Sequence, residues 1–163
     1  MFAVRLTTIA AALVALTAVF TEASSAAPPA SSSGVELITG QSHSTANHPV
    51  IPLTASGLVA GHGSLKLGSH SGLTFNVGSI SVHKSVVAQG QSVNKKTCTF
   101  HGIEVVDYTI TSGTGAFTGA TGNGQATIWF KFKLRKTASG KCNLKASPLH
   151  AHTVFWASGP INL

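Results

Sequence analysis

Residues 128–135, Ile-Trp-Phe-Lys-Phe-Lys-Leu-Arg, constrain the architecture more than any other stretch of this chain. Successive side chains of an extended strand point to opposite faces. Ile128, Phe130, Phe132 and Leu134 therefore share one side, and Trp129, Lys131, Lys133 and Arg135 the other. The pattern is that of a half-buried antiparallel strand with an apolar core face and a basic solvent face.

The same period of two recurs along the chain. Glu104–Thr111 places Val106, Tyr108 and Ile110 on one face, with Val105, Asp107 and Thr109 opposite. Leu73–Val77 alternates in the same way and resumes at Ile80–Val82 with shifted parity, which calls for a bulge or tight turn at Gly78-Ser79. Weaker strands are expected over Val35–Thr39, Val50–Ala60, Ser64–Leu67, Thr97–His101 and His150–Ala157. No stretch beyond the N-terminal segment sustains a 3.6-residue apolar period, and Gly and Ser punctuate the chain at short intervals. The expected fold is an all-β antiparallel barrel of about eight strands, because closure removes the exposed edges that an open sheet would leave.

The N-terminus sets the expected compartment. Arg5 precedes an apolar run ending at Val19-Phe20, and small residues follow at Ala23–Ala27. These are the three parts of a secretory signal peptide. The apolar run, about 15 residues, is shorter than the roughly 20 that span a bilayer. Cleavage is expected after Ala26 or Ala27, giving a signal peptide over 1–26, a flexible leader over 27–33 and one domain over 34–163 with no membrane span. In an exported chain the cysteine pair Cys98 and Cys142 is most simply a disulfide.

Charge is scarce and lopsided, with a formal net charge of +7. Past the leader the acids are Glu36, Glu104 and Asp107. Such a balance favours anionic partners and equally serves solubility. Lys131, Lys133 and Arg135 line one strand face beside Trp129; Lys136 and Lys141 follow, and a disulfide would bring Lys95 and Lys96 near them. A cationic strip with an aromatic neighbour suits single-stranded nucleic acid or acidic glycans, or is simply solvated. His150 and His152 project from one strand face with a spacing that suits two ligands of Zn²⁺ or Cu²⁺, a third coming from His62, His83 or His101. The alternative is a solvent-facing strand that gains charge below neutral pH. Glycoside hydrolysis needs two placed carboxylates, whereas Glu104 and Asp107 point to opposite faces of a strand. Neither G-x-S-x-G nor a phosphate-cradling loop is present. No catalytic residue and no cofactor is assigned.

Residues 108–124 read as a strand stopping at Gly113, a Gly-rich connection anchored by Phe117, and a restart at Gln125. The glycines permit positive φ, and the aromatic plugs the end of a core. Within it, Gly113-Thr114-Gly115-Ala116-Phe117-Thr118-Gly119-Ala120 resembles the corresponding segment of the allene-oxide-cyclase and dirigent barrels and of small secreted bacterial proteins like them. The resemblance covers about residues 105–135 and implies an eight-stranded barrel with an apolar interior, sometimes assembled into dimers or trimers. It carries over no active-site residue.

The functional expectation is a secreted, non-catalytic barrel. It binds either an apolar small molecule inside, with Phe75, Val106, Tyr108, Phe130 and Phe132 lining a cavity, or an anionic polymer or surface through its basic face. The alternatives are a cyclase- or dirigent-like protein steering a reactive intermediate, and a structural protein of the cell envelope.

Overall fold

Burial alternates most plainly over Val50–Ser56 and His150–Asn162, the pattern of strands with one face in a core. In the computed structural model, residues 31–45, 49–67 and 72–163 are described. The expected signal peptide, most of the leader, and His48 and His70 lie outside them. Eight strands run in chain order: β1 Ser33–Ser44, β2 Val50–Ser56, β3 Gly61–Lys66, β4 Gly72–Phe75, β5 Gly78–Asn94, β6 Thr99–Gly115, β7 Thr121–Lys133 and β8 His150–Asn162. Each pairs antiparallel with its sequence neighbour, and β8 returns to β1, giving a closed eight-stranded barrel. Closure is extensive, running from Ser33↔Asn162 to Ser44↔Ala151. Among the described residues no helix is long and apolar enough to cross a membrane.

The inward positions fill the interior. Ile38, Ile51, Leu53, Ala55, Leu73, Phe75, Ile80, Val106, Ile110, Ala126, Phe155, Ala157 and Ile161 form one buried cluster. On β7 the parity is as the sequence dictates: Ile128 packs against this cluster, while Lys131 and Lys133 are exposed. The strand ends at Lys133, however, so Arg135 falls in the following connection, where Lys136 bridges to Cys142. β1 takes in Ser33 of the expected leader, and Ser32 already exchanges backbone hydrogen bonds with Leu163. The parity shift before Ile80 is a tight turn, Asn76-Val77, with Phe75 paired to Gly78. β5 has bulges farther on, at Ser81/Val82 and Val86/Ala88.

The barrel's two ends differ. At one, the β6–β7 connection folds inward so that Phe117 is 0 % exposed, its ring 5.4 Å from that of Phe75. Gly115 and Gly119 adopt φ of 61° and 80°, a region an L side chain rarely enters, and so allow this tight return. At the other end, a Cys98–Cys142 disulfide with Cα atoms 5.3 Å apart joins the β5–β6 turn to the long β7–β8 connection. Lys95, Lys96, Arg135, Lys136, Lys141 and Lys145 all sit on these two joined segments.

Candidate functional site

Two places in the barrel combine polar chemistry with apolar surroundings. The first is internal. Inward side chains of β1, β5, β6, β7 and β8, with the ends of β3 and β4, leave a cavity of about 90 Å³. Its walls include Ile38, Leu73, Ile80, Val106, Ile110 and Phe155, and its polar members are Glu36, Tyr108, Lys66 and Lys84. Lys84 is the cross-strand partner of Tyr108. Drug-sized ligands occupy roughly 300–1,000 Å³, so this barrel is largely packed, with room for a few waters or a molecule of a few heavy atoms.

Glu36 gives the cavity its chemistry. It is 4 % exposed. One carboxyl oxygen, Oε2, accepts from the Val59 N–H at 3.2 Å, while Oε1 is buried with no hydrogen-bond partner. Burial pushes this carboxyl above the ordinary glutamate value of 4.5, against the opposing pull of the Val59 and Leu58 amides. Tyr108 is raised too, by burial first and by the neighbouring Glu36 charge second. Its hydroxyl fits where it does because the adjoining strands carry glycine. A Cβ at Gly124 or Gly159 would lie 2.6 or 2.9 Å from that oxygen.

The raised Glu36 has a consequence for stability. The folded protein holds this proton to higher pH than the unfolded chain does, so folding takes up a proton in that interval. Stability is therefore fully present below about 4.5 and declines as pH rises through the folded value. Glu36→Gln retains an acceptor for Val59 and removes the titration. Denaturant titrations from pH 4 upward are expected to show a falling unfolding free energy in the native protein and a flatter profile in the variant; parallel profiles would contradict the assignment.

The second place is the outer wall. Strand register sets His101, Lys131, His152 and His43 in one row across β6, β7, β8 and β1. His43 and His152 stack with centroids 4.3 Å apart, and Trp129 meets His152 edge-on at 5.6 Å. The next row holds Ile103, Trp129 and Val154, and Trp156 lies beyond, 44 % exposed. A shallow depression of about 570 Å³ continues the surface past Gln41, Thr54, His62 and Trp156. Lys133 is committed locally, its ammonium donating to the Thr97 carbonyl at 2.5 Å.

The candidate residues thus separate. Val106 and Tyr108 line the cavity. Phe75 packs on the Phe117 plug, and Phe130 and Phe132 stack with Phe100 nearer the disulfide end. His150 and His152 share the outer face, but among the described residues no group of three His, Cys, Asp or Glu is placed to hold a metal ion. His83 and His62 lie on other strands. Glu36 is the polar cavity residue that sequence reasoning missed. Its only signal was a lone acid at the start of an apolar alternation, Val35-Glu36-Leu37-Ile38. No family model matches the chain, and neither a curated protein nor a solved structure matches it.

Proposed function

We infer that the protein is an exported, non-catalytic barrel that binds a small, mainly apolar molecule carrying one hydroxyl, with that hydroxyl against Glu36. The carrying observation is the partnerless Oε1 of a buried carboxyl in an apolar cavity. A buried polar oxygen without a partner is costly, and a ligand that satisfies it recovers much of that cost. A hydroxyl suits the site whether Glu36 is ionised or protonated, because it both donates and accepts. Lys66 and Lys84 beside the cavity disfavour a cationic ligand. The disulfide supports export, being favoured in oxidising compartments. The closed eight-stranded meander is the architecture that the resemblance to the allene-oxide-cyclase and dirigent barrels implies.

Cyclopentanol and cyclopentane test the reading, with binding followed by NMR. The alcohol is expected to perturb cavity resonances and to bind at least tenfold more tightly, about 1.4 kcal/mol. Glu36→Leu should erase that preference, and Ala126→Leu should fill the cavity and abolish uptake. Equal binding of both compounds, or no uptake of either, would sink the proposal.

The outer wall favours a second activity, binding of an acidic polysaccharide. The aligned row of His101, Lys131, His152 and His43 beside Trp129, running into a groove with Thr54, Gln41 and Trp156, offers an ammonium, imidazole and hydroxyl partners and ring faces together. Retention on immobilised heparin is expected to fall steeply with salt, and to drop at least tenfold in Lys131→Glu with Arg135→Glu, which spares the Lys133 contact. Unchanged retention would remove this reading. Preferential binding to poly(dT) would replace it with nucleic-acid recognition.

A further inference from the structure

The barrel is closed, yet among the described residues one of its strands keeps a long open edge. β5 pairs with β4 only between Gly78 and Ser81, whereas its pairing with β6 continues to Asn94↔Thr99. From His83 to Asn94 every residue of β5 is exposed. Beyond Ser81, no strand among the described residues lines the side of β5 away from β6. Alternate backbone N–H and C=O groups therefore face outward along that edge, a template for another strand.

Sheet edges of this length are ordinarily blunted by lysine, proline or inward charge. Here the sequence from Ser85 to Asn94, Ser-Val-Val-Ala-Gln-Gly-Gln-Ser-Val-Asn, contains no charged residue and no proline. Val86 and Val87 are about half exposed, at 50 % and 51 %, and Val93 is 36 % exposed. Past the bulge at Val86/Ala88 the edge runs regularly from Ala88 to Asn94, about 23 Å of strand. That stretch is centred on Gln91.

We propose that this edge is a self-association site at which two copies of the chain pair their β5 strands antiparallel about a two-fold axis at Gln91. Three features select a second copy as the occupant. The missing partner must be an extended backbone, and β5 is one. A two-fold arrangement satisfies both edges at once and closes, leaving no further edge at that site. For a chain of net charge +7 the neutral segment allows two copies to meet without opposing cations. The pairing sets Val93 of each copy opposite Gln89 of the other, covering apolar surface that is otherwise in water.

Because residue 91 lies on the axis, Gln91→Lys places two ammonium groups together and Gln91→Glu two carboxylates, while a mixture pairs opposite charges. Gln91 is exposed, so neither change disturbs the barrel, and thermal melting verifies that. Sedimentation velocity is expected to show the native protein as a dimer, each variant alone at least tenfold weaker in dimerisation, and the equimolar mixture restored. Hydrogen exchange should show Ala88–Asn94 amides protected in the dimer and released in either variant. A native protein that remains monomeric at every concentration overturns the proposal. So does a dimer that survives both variants, or one in which these amides exchange freely.

Discussion

Phe117→Ala is expected to lower the unfolding free energy by about 3–5 kcal/mol, the range for emptying a large aromatic site in a packed core. For a domain of this size that corresponds to a fall in Tm of about 10–20 °C. The side chain is 0 % exposed and closes the end of the barrel against Phe75. The connection around it is tied down by its own backbone: the Phe117 N–H donates to the Thr114 carbonyl at 3.1 Å, and the Ala120 N–H to the Phe117 carbonyl at 3.0 Å. Neighbours therefore cannot collapse into the space without breaking the turn, which places the loss in the upper part of the range. Phe132→Ala, at a half-buried position, should cost distinctly less. Equal losses at the two positions would mean that Phe117 is not the plug.

Removing the disulfide is expected to have a comparable effect through a different cause. Cys98→Ser with Cys142→Ser opens a loop with a sequence separation of 44, and loop-closure entropy puts the loss at roughly 4 kcal/mol. Electrostatics adds to this. The bond holds together two segments that carry Lys95, Lys96, Arg135, Lys136, Lys141 and Lys145, and without it their mutual repulsion drives the segments apart. Added salt should therefore recover part of the variant's stability while changing the native protein less, since exposed charges are screened over about 8–10 Å at moderate ionic strength. Melting curves of both proteins across a salt series separate the two contributions. A salt response no larger in the variant would show that the repulsion is negligible.

How much of this was legible in the sequence follows from where each segment meets solvent. β7 was readable because one face is buried and the other wet, so apolar and basic residues had to alternate from Ile128 onward. β6 was readable for the same reason, and the Phe117 connection from its glycines and lone aromatic. β5 beyond Val82 was not: both faces of Ser85–Asn94 are exposed, so no alternation is imposed, and among the described residues the strand is held by its pairing to β6. Arg135 was assigned to a strand on parity, although the chain leaves the sheet after Lys133 to reach the disulfide. Glu36 was hidden because its surroundings come from distant parts of the chain, the Val59 amide on one side and Tyr108 of β6 on the other. The size of the cavity depends on the summed volumes of inward side chains from nearly every strand, which no local pattern encodes.

The order of the strands also has a kinetic consequence. Every pairing but one joins neighbours in sequence, so most of the barrel can form by successive hairpins at small loop-closure cost. The exception joins β1 to β8, whose partners lie at opposite ends of the described sequence. During synthesis this seam cannot form until the last strand has emerged, and one side of β1 waits unpaired until then. Closure of that seam therefore carries the largest loop-closure cost of any pairing in the barrel.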